Sequence, residues 1–124
     1  MGLDQWAYST KRQIEKSVDF EMELDNDTEL MYWRKHPNLQ GLMQELYEKK
    51  GGSSEQFNVV PVELTNEDLI EIGEKIVNNK LPSTSGFFFG SDSDEHYFNK
   101  DIEFLEKAKE AISKGHKVYY TSWW

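Results

Sequence analysis

The chain has 124 residues, the length of one domain rather than two. Its 14 basic and 23 acidic residues leave a formal charge of −9. That field repels phosphate polymers as they come within a Debye length, about 8 Å at physiological salt, which excludes a nonspecific DNA or RNA coat but not a small anion in a local basic pocket. Residues 2–10 read as a strand with Trp6 and Tyr8 on one face. The alternation of Val18, Phe20, Met22 and Leu24 with Asp19, Glu21 and Glu23 predicts a half-buried strand with an acidic outer face. Asp25-Asn26-Asp27-Thr28 supplies turn and cap chemistry, so a helix is expected from Thr28 carrying Leu30, Met31, Tyr32 and Trp33. Pro37 interrupts that helix or opens a second one, along which Leu39, Leu42, Met43, Leu46 and Tyr47 keep helical spacing up to Lys49-Lys50-Gly51-Gly52.

Phe57 to Leu64 reads as a strand, placed at an edge or bulge by Pro61. Thr65-Asn66-Glu67-Asp68 opens a helix with a near capping box, and Leu69, Ile72, Ile76 and Val77 form its stripe. Gly86-Phe87-Phe88-Phe89-Gly90 reads as a short aromatic strand. Asn99 is expected to cap a last helix with the stripe Ile102, Leu105, Ala108 and Ile112, ending at Gly115. Lys117 to Trp124 is the final strand. The expectation is one compact α+β domain over residues 1–124, with a small, mostly antiparallel sheet and about three helices. The chain has no cysteine, which excludes disulfides and a thiol nucleophile, and no apolar run nears the roughly 18 residues of a membrane span. Met1 to Asp4 does not open a signal peptide, so a cytoplasmic protein is expected.

Two clusters stand out chemically. Tyr32-Trp33-Arg34-Lys35-His36-Pro37-Asn38 joins aromatic faces to two fixed cations and an imidazole, the components of a phosphate and base site in an otherwise acidic chain. The same run also reads as a core Trp33 with Arg34 and Lys35 paired to the acids of residues 15–29. Ser83 to Ser91 brackets three Phe residues with hydroxyls and glycines, which suits close backbone approach to a nucleotide, although an ordinary buried strand with turn glycines is the favoured reading. It lacks the Gly-Lys-Ser/Thr ending of a P-loop. Asp92 and Asp94 could form a loose divalent site, but Tyr97 stands where a calcium loop needs Gly, and a solvated acidic loop is the favoured reading. His36, His96 and His116 show no metal spacing, and no Gly-x-Ser-x-Gly elbow occurs. No catalytic residue, metal ligand or cofactor is assigned, so the residues read as a binder rather than an enzyme. The C-terminal Tyr119, Tyr120, Trp123 and Trp124 read as a core strand or a subunit interface.

Met1-Gly2-Leu3-Asp4 before an aromatic strand, Tyr32-Trp33-Arg34-Lys35, Gly86-Phe87-Phe88-Phe89-Gly90-Ser91 and Tyr119-Tyr120-Thr121-Ser122-Trp123, in that order, resemble a family of small phage-encoded proteins over most of the chain. That family is similar to viral sponge proteins that oppose CBASS and related bacterial immunity. The resemblance implies immune evasion in the cytoplasm of an infected bacterium. It implies capture of a cyclic di- or oligonucleotide without cleavage, by a homo-oligomer that takes neither polymeric nucleic acid nor membrane as partner. On this reading Tyr8 or Trp33 stacks a base, and Arg34, Lys35 and His36 meet phosphates. Thr84 and Ser85 hydrogen-bond the ligand, with Gly86 and Phe88 beside them. The rival expectations are a phosphodiesterase for the same nucleotides, using His36 or a metal at Asp92 and Asp94, and an acidic inhibitor that binds a host protein through residues 15–29.

Overall fold

The computed structural model describes residues 2–82, 84 and 94–124. The chain forms β1 (Asp4–Thr10), β2 (Thr28–Arg34), α1 (Pro37–Lys49), β3 (Val62–Leu64), α2 (Asn66–Val77), α3 (Asp94–Ser113) and β4 (Lys117–Trp123). The strands make one antiparallel sheet in the order β2-β1-β4-β3, and the three helices give the α+β architecture expected from the sequence. The earliest and latest strands are therefore central neighbours.

Strand alternation sends Gln5, Ala7, Met31, Trp33, Val62, Leu64, Val118 and Tyr120 to one face, where all are buried. Leu39, Met43, Leu69, Ile72, Phe104 and Ala108 of the helices close over that face and complete the core. Thr65 and Asp68 exchange both bonds of a capping box at the start of α2, as their spacing predicts. Gly51 (φ 90°) and Gly115 (φ 85°) take the left-handed turns that stop α1 and α3.

Four expectations about the fold are corrected. Residues 28–34 are a strand, not the start of a helix. Between Ala7 and Tyr8 the pairing shifts so that Ala7 faces Met31 while Tyr8 faces Glu29, which makes Leu30 the extra residue of a bulge. Leu30 packs against the core beside Met31, and this pair of neighbouring apolar residues imitates a helical stripe. The segment from Val18 to Leu24 is not a strand either: Val18 makes a single bridge to Val62, and Asp19 has a left-handed backbone (φ 55°) that breaks the extension. β3 is shorter than the expected Phe57–Leu64, because Val59 also turns left-handed (φ 57°); it does follow Pro61 and lie at the sheet edge. The last helix begins at Asp94, five residues before the expected cap at Asn99. Its buried side extends through Tyr97 and Asp101, and a buried aspartate does not read as part of an apolar stripe. The expected Gly86–Gly90 strand and the acidic pair Asp92 and Asp94 fall on side chains outside the description.

Candidate functional site

β2 sorts the basic–aromatic run by parity. Trp33 points inward and is fully enclosed against Phe104 and Tyr120, with its Nε1–H donating to Asp101 Oδ1 at 2.9 Å. His36 is also fully buried, its Nε2 2.7 Å from the other Asp101 oxygen and its ring stacked on Tyr97. Neither ring has a face open to a ligand. Gln5 holds the turn that follows β2: its amide donates to the His36 carbonyl (3.0 Å) and to the Tyr120 hydroxyl (2.9 Å), while its oxygen accepts from the His36 N–H (2.7 Å). Tyr97 donates to the Arg34 carbonyl from the other side. With the backbone clamped from both sides, Arg34 and Lys35 remain exposed.

Those two cations converge over Gly2. A Cβ there would lie 3.0 Å from Arg34 Nη2 and 3.2 Å from Lys35 Cε, so the missing side chain gives them room. Arg34 shares its sheet face with Tyr32, and across the strands this face forms two rows. One row is Arg34, Asp4 and Trp123; the next is Tyr32, Trp6 and Thr121. Trp6 and Tyr32 lie 5.6 Å apart, Lys100 reaches from α3 to within 6.0 Å of the Tyr32 ring, and Trp123 is 66% exposed. Asp4 sits between them. Its Oδ1 accepts from the Tyr32 hydroxyl at 2.5 Å and lies 3.9 Å from Arg34 Nε. The Asp4 bond, then burial, raises the Tyr32 phenol above its ordinary value, so Tyr32 stays neutral and presents its ring. Three aromatic rings and Arg34 thus share one sheet face with the Asp4 carboxylate, and Lys35 and Lys100 flank it, an arrangement that can stack flat rings and hold anions.

The other sequence-derived candidates lie elsewhere. Tyr8 is on the outer face but buried beyond the bulge, stacked on Tyr119. Thr84 packs on the first turns of α1: its N–H donates to Asn38 Oδ1 at 2.9 Å, and a Cβ on Gly41 would lie 2.0 Å from its Oγ1. The loop that carries Thr84 and the run that carries His36 therefore meet at the start of α1. Ser85, Gly86 and Phe88 lie outside the described residues. Sequence reasoning named Tyr32 within the basic–aromatic run and placed Trp6 on a strand face, yet put neither in the site. It missed Asp4 and Lys100 as site residues and read Trp123 as core or subunit interface; reading residues 28–34 with period two would have grouped Tyr32 with Arg34 and separated both from Trp33.

Among the described residues, no group of three or more His, Asp or Glu is placed to hold a metal ion. No helix among them is long and apolar enough to cross a membrane. No family model, curated protein or solved structure matches the chain.

Proposed function

We propose that this protein binds a cyclic di- or oligonucleotide second messenger of bacterial antiviral signalling and sequesters it intact, as an oligomeric phage immune-evasion protein. The observation that carries the reading is the sharing of one open sheet face by Trp6, Tyr32 and Trp123 with Arg34, flanked by Lys35 and Lys100. Base–aromatic stacking contributes about 1–3 kcal/mol per base, and guanidinium groups bind phosphate through paired donors. The order of motifs along the chain adds the resemblance described above. Stacking moves from Trp33 to Trp6 and Tyr32 in this proposal, and phosphate contact falls to Arg34, Lys35 and Lys100, without His36. The net charge of −9 suits the role, because it opposes polymeric nucleic acid while three local cations hold a compact anion.

The test is calorimetric titration with a panel of cyclic nucleotides, followed by denaturation and chromatography of the released ligand. Submicromolar binding with intact recovery supports sequestration. Cleavage products would move the protein to the phosphodiesterases, and no binding across the panel would sink the proposal.

A further inference from the structure

The open face carries one residue that an anion-binding patch does not need. Asp4 lies at its centre, flanked across the strands by Arg34 and Trp123 and two residues along the strand from Trp6. Its side chain is 34% exposed. Oδ1 is engaged by Tyr32, whereas Oδ2 accepts no hydrogen bond among the described residues. A carboxylate offers about four acceptor positions, so both oxygens keep capacity for further donors. Placed among phosphate-binding cations, it weakens phosphate capture unless it contacts another part of the ligand.

The bases differ in what they can offer it. Guanine presents two adjacent donors on its pairing edge, the ring N–H and the exocyclic amine, which match the two oxygens of a carboxylate. Adenine and cytosine present a single amine beside a ring acceptor, and that acceptor would face the carboxylate lone pairs. Residues two apart on a strand are about 7 Å from each other, so a purine stacked on Trp6 brings an edge to Asp4. Resting on the nucleotide-binding reading above, we propose that Asp4 is the specificity residue of this site and selects guanine-containing cyclic nucleotides through paired hydrogen bonds to the guanine edge. Tyr32 acts as the positioning residue: its hydroxyl holds Oδ1 and turns the carboxylate across the face.

The experiment compares cyclic dinucleotides of guanine, hypoxanthine and adenine, in one linkage, on the native protein and on Asp4→Asn. Hypoxanthine keeps the ring N–H and lacks the amine, so it removes one bond without touching the protein. Native protein is expected to bind the guanine ligand at least about tenfold tighter than the hypoxanthine ligand, and the adenine ligand weakest. In Asp4→Asn the three affinities should fall within about threefold of one another, and added salt should weaken all three at least as steeply as in the native protein, because the cations no longer face a carboxylate. Equal affinities on the native protein, or a guanine preference that survives in Asp4→Asn, would overturn the assignment of Asp4 and leave nucleotide binding standing. Failure of the native protein to bind any of the three, or any other cyclic nucleotide, would overturn both.

Discussion

The two ends of the outer sheet face are built from the same materials and finished differently. At the Thr10 end, Tyr8 and Tyr119 stack at 5.5 Å, and the irregular segment that follows β1 folds over them, with Phe20 edge-on to Tyr119. A half-buried polar network fastens that cover: Asp27 accepts from Arg12 at 2.7 Å and from the Tyr119 hydroxyl at 2.6 Å. At the Asp4 end, Trp6 and Tyr32 also sit side by side, and Asp4 also meets an arginine and a tyrosine hydroxyl, yet no segment among the described residues covers them. Paired aromatics with a carboxylate, an arginine and a tyrosine are thus core where a loop covers them and surface where none does. The bulge at Leu30 lies at the border between the two ends and also turns Glu29 to the outer face beside Tyr8.

Substitutions can break this contrast. Asp27→Ala should have the largest effect, a loss of about 3 kcal/mol in urea melts, because it takes the acceptor from the Tyr119 hydroxyl beneath the cover and leaves Arg12 only Glu23 and the Glu21 carbonyl. Nucleotide affinity should remain within about threefold. A loss below about 1 kcal/mol would mean that the network does not fasten the cover. Trp6→Ala should do the reverse, costing about 2 kcal/mol of binding by calorimetry and little stability. If it unfolds the protein instead, the open end is core after all. Tyr119→Phe keeps the stacked ring and removes one donor to Asp27, so a loss of about 1 kcal/mol of stability is expected, with binding untouched.

The smallest effect per pH unit is acid sensitivity. Burial alone would raise the Asp27 carboxyl, but hydrogen bonds from Arg12, Thr10 and Tyr119 and the Arg12 charge hold it below the usual carboxylate value. Asp19 and Asp68 are lowered in the same way, by Tyr47 and Ser53 and by Lys50 and Thr65, against the opposing effect of burial. A depressed folded value contributes stability that is fully present above the unfolded value of about 3.9 and is lost as pH falls through the folded one. Urea midpoints should therefore drop below about pH 4, and Asp27→Asn should flatten that drop. An unaltered slope in Asp27→Asn would assign the acid sensitivity to the other carboxylates.

Elements that rest on local chemistry were legible in the sequence. The capping box at Thr65, Pro37 at the first turn of α1, the glycine stops at Gly51 and Gly115, and the central strands β1 and β4 all follow from residues near one another in the chain. What was not legible depends on long-range partners. The single inserted residue at Leu30 scrambled the period of β2, and with it the sorting of Trp33 inward and Arg34 outward. Nothing near Asp101 in the chain marks it as a core residue, because its partners, Trp33 and His36, are 68 and 65 positions away. The same distance effect hid the site: Arg34, Asp4 and Trp123 become neighbours only through strand pairing.

That pairing also governs when the outer face comes into being. β1 is made first, yet its central partner β4 spans residues 117–123, and Gln5 waits for a hydroxyl 115 positions downstream. During synthesis the helices can form as they emerge, but the sheet cannot close until β4 has left the ribosome. Contacts of such sequence separation slow folding, because chain entropy is lost before they form. A truncated or stalled chain therefore exposes the Trp33 side of β2 without the strand order that turns Arg34 and Trp123 to one surface, and only chains extended through β4 assemble that surface.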